Sequence, residues 1–143
     1  MRYFLAVVAI LSGCATVQPP SPISEPVPAP APSVPTGNAA VASLVASARA
    51  DAAAGRLVQA ASSLERALRI EPRNPHLWQE LARVRLKQGD YAQVESVAAR
   101  SNSWAGGDSR LRAENWRLIA QAREARGDAA GARAALEAAD RQR

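Results

Sequence analysis

From residue 41 to the end of the chain, apolar side chains and alanines recur at i, i+3 and i+4, the period of helices with one buried face. Two earlier stretches break that pattern: residues 3–11 are continuously apolar, and residues 15–40 have no period. The periodic part is punctuated by Gly55-Arg56-Leu57, Gly89-Asp90-Tyr91 and Gly127-Asp128-Ala129, separated by 34 and 38 residues. Each glycine ends one helical run and precedes another, so the pattern predicts three helical hairpins, six helices in all. Asn74-Pro75 reads as an N-cap followed by proline in the first turn, and Asp90 and Asp128 are placed to cap helices after Gly89 and Gly127. Small residues suit the closest approach of paired helices, as with Ala48/Ala60, Ala82 and Ala120/Ala132. The longer second interval adds about one turn at 3.6 residues per turn. The stripe Val94, Val97, Ala98, Ser101, Trp104 and Ala105, ended by Gly106-Gly107, assigns that turn to the second helix of the middle hairpin. Asp108 or Ser109 then caps the next helix, and Trp104 at the overhang covers the apolar edge of the third hairpin or meets a partner.

These spacings resemble the tetratricopeptide repeat. Ala60, Leu64, Ala67 and Pro72 follow Gly55 as in that family's second helix and terminating proline. Trp78, Leu81, Ala82 and Gly89-Asp90-Tyr91 match its first helix and turn, and Trp116, Ile119, Ala120, Gly127-Asp128, Ala132, Leu136 and Ala139 keep the register. The resemblance implies an all-α fold, a right-handed α-solenoid of three tetratricopeptide hairpins over residues 41–143, with repeats near 41–74, 75–112 and 113–143. Asp51 and Arg85 stand where the family has an aromatic residue, and Ala98 replaces a larger one, so looser packing is expected there. The family's concave groove is lined by first helices, which here implies Arg49, His76, Gln79, Arg83, Leu86, Lys87, Glu114, Arg117, Gln121 and Glu124 as partner-binding positions. The first half of that set is basic, which favours an acidic or carboxylate-bearing segment.

At the other end, Arg2 precedes the nine apolar residues 3–11. Such a run is too short for a hydrocarbon core, which needs roughly 20 residues, and has the size of a signal peptide's apolar region. Leu11-Ser12-Gly13-Cys14 resembles the bacterial lipobox, which implies a signal peptide over residues 1–13 and lipidation of Cys14, palmitate included. Several acyl chains make a durable anchor, since each buried CH₂ contributes about 0.8 kcal/mol. Ala15 after the cysteine implies the outer membrane, with the protein facing the periplasm. Eight of the ten prolines lie within residues 19–35, which forbids helix and sheet interiors and predicts a disordered Pro-rich tether through residues 14–40. Its 26 residues after the cysteine, at about 3.1 Å each, reach on the order of 80 Å.

Composition then narrows the function. One cysteine excludes an internal disulfide and any cysteine-based zinc site, and one histidine excludes a His-pair metal site, so neither metal nor cofactor is expected. Seventeen arginines and one lysine give a net charge of +5. That charge raises nucleic acid as a partner, but an exported lipoprotein does not meet it and the aromatic content is only 4%. No acid, base and nucleophile converge, Glu114 and Glu124 being explained by a helix face, so neither an enzyme nor a small-molecule substrate is expected. A small tethered tetratricopeptide lipoprotein resembles the LpoP-type activators of class A penicillin-binding proteins, through residues 69–86 and 100–119. That resemblance implies an interaction module that activates or positions a peptidoglycan synthase in cell-wall biogenesis. A pilotin-like or secretion-system assembly scaffold is the alternative.

Overall fold

The computed structural model describes residues 34–143. The expected signal peptide, the expected lipidation site Cys14 and the expected tether up to residue 33 lie outside the described residues. Six helices occupy the described part: α1 (Ala39–Ala53), α2 (Leu57–Ile70), α3 (Pro75–Gln88), α4 (Tyr91–Trp104), α5 (Ser109–Ala125) and α6 (Ala129–Asp140). Consecutive helices pair as hairpins, α1 with α2, α3 with α4 and α5 with α6. No strand occurs among the described residues. No described helix is long and apolar enough to cross a membrane.

Capping sets the helix starts. Asn38 accepts from the amides of Ala40 and Val41, Asn74 from His76, Asp108 from Leu111 and Asp128 from Gly131. Asp90 departs from expectation. It occupies the N-cap position of α4, but its side chain accepts no amide; its own amide bonds instead to the carbonyl of Arg85, closing the turn around Gly89. Gly89 has φ 77° there, the left-handed geometry that a glycine supplies most readily.

Small residues form the helix contacts as predicted: Ala48, Ala60, Ala82, Ala120 and Ala132 are all buried. The core has two parts. One joins α1, α2 and α3 through Val41, Val45, Leu64, Leu77, Leu81 and Val84. The other gathers Ala82, Val94, Ala98, Leu118, Ile119 and Ala135. Helix α3 feeds both, so it ties the first hairpin to the rest. Packing also reaches back before α1. Val34 is buried in the first core, Thr36 donates to the Glu71 carboxylate, and Asn74 donates from Nδ2 to the carbonyl of Pro35 at 2.9 Å.

The extra turn is not in α4, which has 14 residues, as does α2. It lies at the start of α5, which runs for 17 residues against 14 in α3. Trp78 is the fourth residue of its helix, and Trp116 is the eighth of its own. The cause is local. Gly106, at φ 53°, and the bond from the Asp108 amide to the Ala105 carbonyl stop α4, and the Asp108 cap restarts the chain one turn earlier than Asn74 does. A glycine-to-glycine interval contains two helices and does not say which of them is longer.

Candidate partner-binding surfaces

Side chains from the three first helices line one depression of about 410 Å³ on the concave side: Arg49 of α1, His76, Gln79, Glu80 and Arg83 of α3, and Asp108, Arg110, Leu111 and Glu114 at the start of α5 and its cap. Val34, just before α1, completes its wall. A chain of ion pairs runs through it. Arg49 meets Glu80 at 2.5 Å, Arg83 lies 3.5 Å from Glu80 and 2.8 Å from Glu114, and Arg110 lies 3.3 Å from Glu114. The positive charge that the sequence gives this groove is therefore met by Glu80 and Glu114, and the depression is close to neutral. Arg83 and Glu114 link α3 to α5 and so join repeats two and three.

The ten groove positions do not form one site. Arg49, His76, Arg83 and Glu114 share the depression. Gln79 borders it but is buried, and its Nε2 donates to Asn115 Oδ1 at 3.1 Å and to the Leu111 carbonyl at 3.4 Å. Leu86 packs against the second core, and Lys87 turns toward the α1–α2 connection beside Arg56 and Val58. Arg117, Gln121 and Glu124 lie apart, bordering an apolar hollow of about 500 Å³ with Ala132 and Leu136 at the end of the array. Leu136 is 48% exposed there, in a register position that a further repeat would cover. Glu80 escaped the sequence reading although it lies four residues after His76 and three before Arg83, on the same helix face. Arg110 and Leu111 lie in the first turn of α5, the turn that the sequence pattern assigns to α4.

A second surface lies on the face of the second helices. Glu65, Leu68 and Arg69 of α2, Pro72, Trp78, Leu81 and Arg85 of α3 and its approach, and Gln93 and Val97 of α4 line a cleft of about 570 Å³. Trp78 donates from Nε1 to the Pro72 carbonyl at 2.8 Å, and the Arg100 guanidinium lies over its ring, 5.5 Å from the centroid. Trp104 closes α4. It stacks under Arg73 of the α2–α3 connection at 5.2 Å, 40% exposed. Arg85, in a position where tetratricopeptide repeats carry an aromatic residue, spans to Glu65 at 2.6 Å and to Gln88 at 3.0 Å.

Three antiparallel hairpins stacked through shared alanine contacts, with first helices on one face and second helices on the other, define a tetratricopeptide-type interaction domain. A tetratricopeptide repeat model matches residues 51–113. Among solved structures, the globular C-terminal domain of LpoP from P. aeruginosa is 48% identical, with a TM-score of 0.71, and the match covers 73% of this chain and 99% of that one. No curated protein matches the chain. The chain belongs to the LpoP family of tetratricopeptide proteins.

Proposed function

We propose that this protein is a lipid-anchored activator of a peptidoglycan synthase of the class A penicillin-binding type. In this reading Cys14 carries the acyl chains at the outer membrane, residues 15–33 span part of the periplasm, and the helical domain docks on the synthase. The domain acts by binding and carries out no bond chemistry of its own. The observation that carries the proposal is the 48% identity over 99% of the LpoP C-terminal domain, which joins a lipobox-like Leu11-Ser12-Gly13-Cys14 and a Pro-rich stretch in one chain. The partner-binding groove reduces in this proposal to Arg49, His76, Arg83 and Glu114, which share one depression.

The test is glycan-strand synthesis by a purified class A synthase in detergent, with and without the full chain. Stimulation together with co-purification of the two proteins is the expected result; neither effect with any class A synthase of the same cell removes the proposal. The anchor is tested separately by labelled palmitate, which should enter the protein and be lost in Cys14→Ser. Equal labelling of both excludes lipidation at this residue.

A further inference from the structure

Two groups of arginines in this domain differ in their electrostatic surroundings. Those of the concave side, Arg49, Arg83 and Arg110, each have Glu80 or Glu114 within 4 Å. Arg69, Arg73 and Arg100, on the face of the second helices, are exposed and have no carboxylate within that distance among the described residues. One of them lines the cleft between α2 and α4, and the other two lie beside it. Arg69 lines it, Arg73 follows the Pro72 of its wall, and Arg100 stacks on the Trp78 of its floor. The cleft's own carboxylate, Glu65, is taken up by Arg85. Arg69 in the wall, Arg100 over Trp78 and the neighbouring Arg73 thus place unpaired guanidinium groups in and beside a cleft lined by Leu68, Pro72, Trp78, Leu81 and Val97.

Stacking matters to what these arginines do. A guanidinium on an indole face loses part of its rotamer freedom before any ligand arrives, yet keeps its edge N–H groups for a carboxylate. Pre-ordering of that kind lowers the cost of forming an interface. Tryptophan and arginine beside a partly dry hollow are also the residues on which interface energy concentrates. The concave groove has the opposite character, because a carboxylate arriving there must displace Glu80 or Glu114 from an arginine.

We propose that the cleft between α2 and α4 is a docking site for an acidic segment of a protein partner, with one bulky apolar side chain seated on Trp78, Leu68 and Val97 and carboxylates received by Arg69, Arg73 and Arg100. In the cell this rests on the reading of the chain as a synthase activator, and the acidic segment then belongs to the synthase.

Two titrations of the full chain in detergent test the site and keep it separate from that reading. In the first, indole N–H resonances are followed as an acidic peptide with a central leucine flanked by aspartates and glutamates is added, against a peptide in which lysines replace the acids. Trp78 and Trp104 should shift with the acidic peptide, Trp116 should not, and the effect should fade as salt rises through the range where the screening length drops below about 10 Å. Shifts confined to Trp116, equal shifts with the basic peptide, or none at millimolar peptide overturn the proposal. In the second, affinity for a purified class A synthase is compared among Arg69→Glu, Arg73→Glu, Arg100→Glu and the control Arg133→Glu on α6. Each of the first three should weaken binding about tenfold and the control less than twofold. A wild-type chain that binds the peptide at Trp78 and Trp104 but no synthase retains the site and removes the synthase as its partner. A synthase that binds all three charge-reversed variants as tightly as wild type overturns the proposal.

Discussion

Asn115 holds the centre of a buried polar network that joins three helices, and its removal is a demanding test of how repeats two and three are joined. Its side chain is fully buried. Nδ2 donates to Ser101 Oγ at 2.7 Å and to Asn102 Oδ1 at 2.8 Å, and Oδ1 accepts from Gln79 Nε2 at 3.1 Å. Ser101 passes the chain on, donating to the Pro75 carbonyl at 2.8 Å. No buried side-chain nitrogen or oxygen of this network lacks a partner, so the network specifies how α3, α4 and α5 meet. In Asn115→Ala three hydrogen bonds are lost, each with a net value of about 0.5–1.5 kcal/mol. The partners do not suffer equally. Asn102 is half-buried and can turn to water, and Ser101 keeps Pro75, but buried Gln79 keeps only the long bond to Leu111. A penalty of roughly 1–2 kcal/mol for that amide, on top of the weaker losses, gives a total near 3 kcal/mol. For a domain of this size 1 kcal/mol moves the Tm by about 4–8 °C, so a fall of about 12–24 °C is expected in thermal unfolding followed by helical circular dichroism. Ser101→Ala should be less damaging, and the double variant should fall short of the sum by at least about 0.5 kcal/mol, since both substitutions break one shared bond. A drop below about 4 °C for Asn115→Ala, or strict additivity with Ser101→Ala, refutes the reasoning.

Four further outcomes follow from particular contacts. Arg85 is 19% exposed at its side chain, with a buried Nε that has no partner, so Arg85→Leu should be neutral or raise stability by about 1 kcal/mol in urea unfolding; a loss above 1 kcal/mol contradicts this. Arg83→Glu places a third carboxylate between Glu80 and Glu114 and should lower stability by about 1 kcal/mol at low salt, with the deficit shrinking in 0.5 M salt; a salt-independent deficit points to packing instead. Gly131→Ala would ordinarily gain about 1 kcal/mol inside a helix, but the added Cβ collides with the Asp128 carboxylate that caps α6. The gain should therefore be absent in the single variant and appear in an Asp128→Ala background, and a gain in both removes the steric argument. Arg112→Ala should speed hydrogen exchange at the end of α6, because Arg112 donates to Gln142 Oε1 at 2.8 Å and to the Gly106 carbonyl; unchanged exchange there means the C-terminal end holds without it.

The sequence pattern carried the six helices and their pairing because glycines, caps and alanine contacts are local or periodic signals. It misplaced whatever depends on a distant partner. Gln79 reads as a surface residue of a groove, since polar side chains are mostly exposed; it is buried because Asn115, 36 residues away, satisfies its amide. Arg49 and Arg83 read as free positive charge, and their neutralisation needs Glu80 and Glu114 to meet them across helices that the sequence does not position. Arg85 reads as a gap in an aromatic layer, and the gap is filled by a guanidinium reaching Glu65, 20 residues earlier. Trp104 was legible as an exposed ring at a helix end, but the Arg73 that stacks on it, 31 residues earlier, was not. Val34 was not legible at all, as one valine in a Pro-rich stretch carries no period.

The misassigned turn has more consequence than its length suggests. Residues 109–112, one turn at the head of α5, supply three different ties. The Leu111 carbonyl accepts from Gln79 and so anchors α5 to the buried network of α3. Arg110 meets Glu114, the carboxylate shared with Arg83, and so extends the ion pairs of the groove. Arg112 joins the α4–α5 connection, through the Gly106 carbonyl, to Gln142 beyond the last helix. The inserted turn thereby grips the residues that follow α6. The same four residues therefore tie α5 to the middle of the domain, extend the ion pairs of its concave side and hold the residues after α6, while Arg69, Arg73 and Arg100 on the face of α2 and α4 have no carboxylate within 4 Å among the described residues.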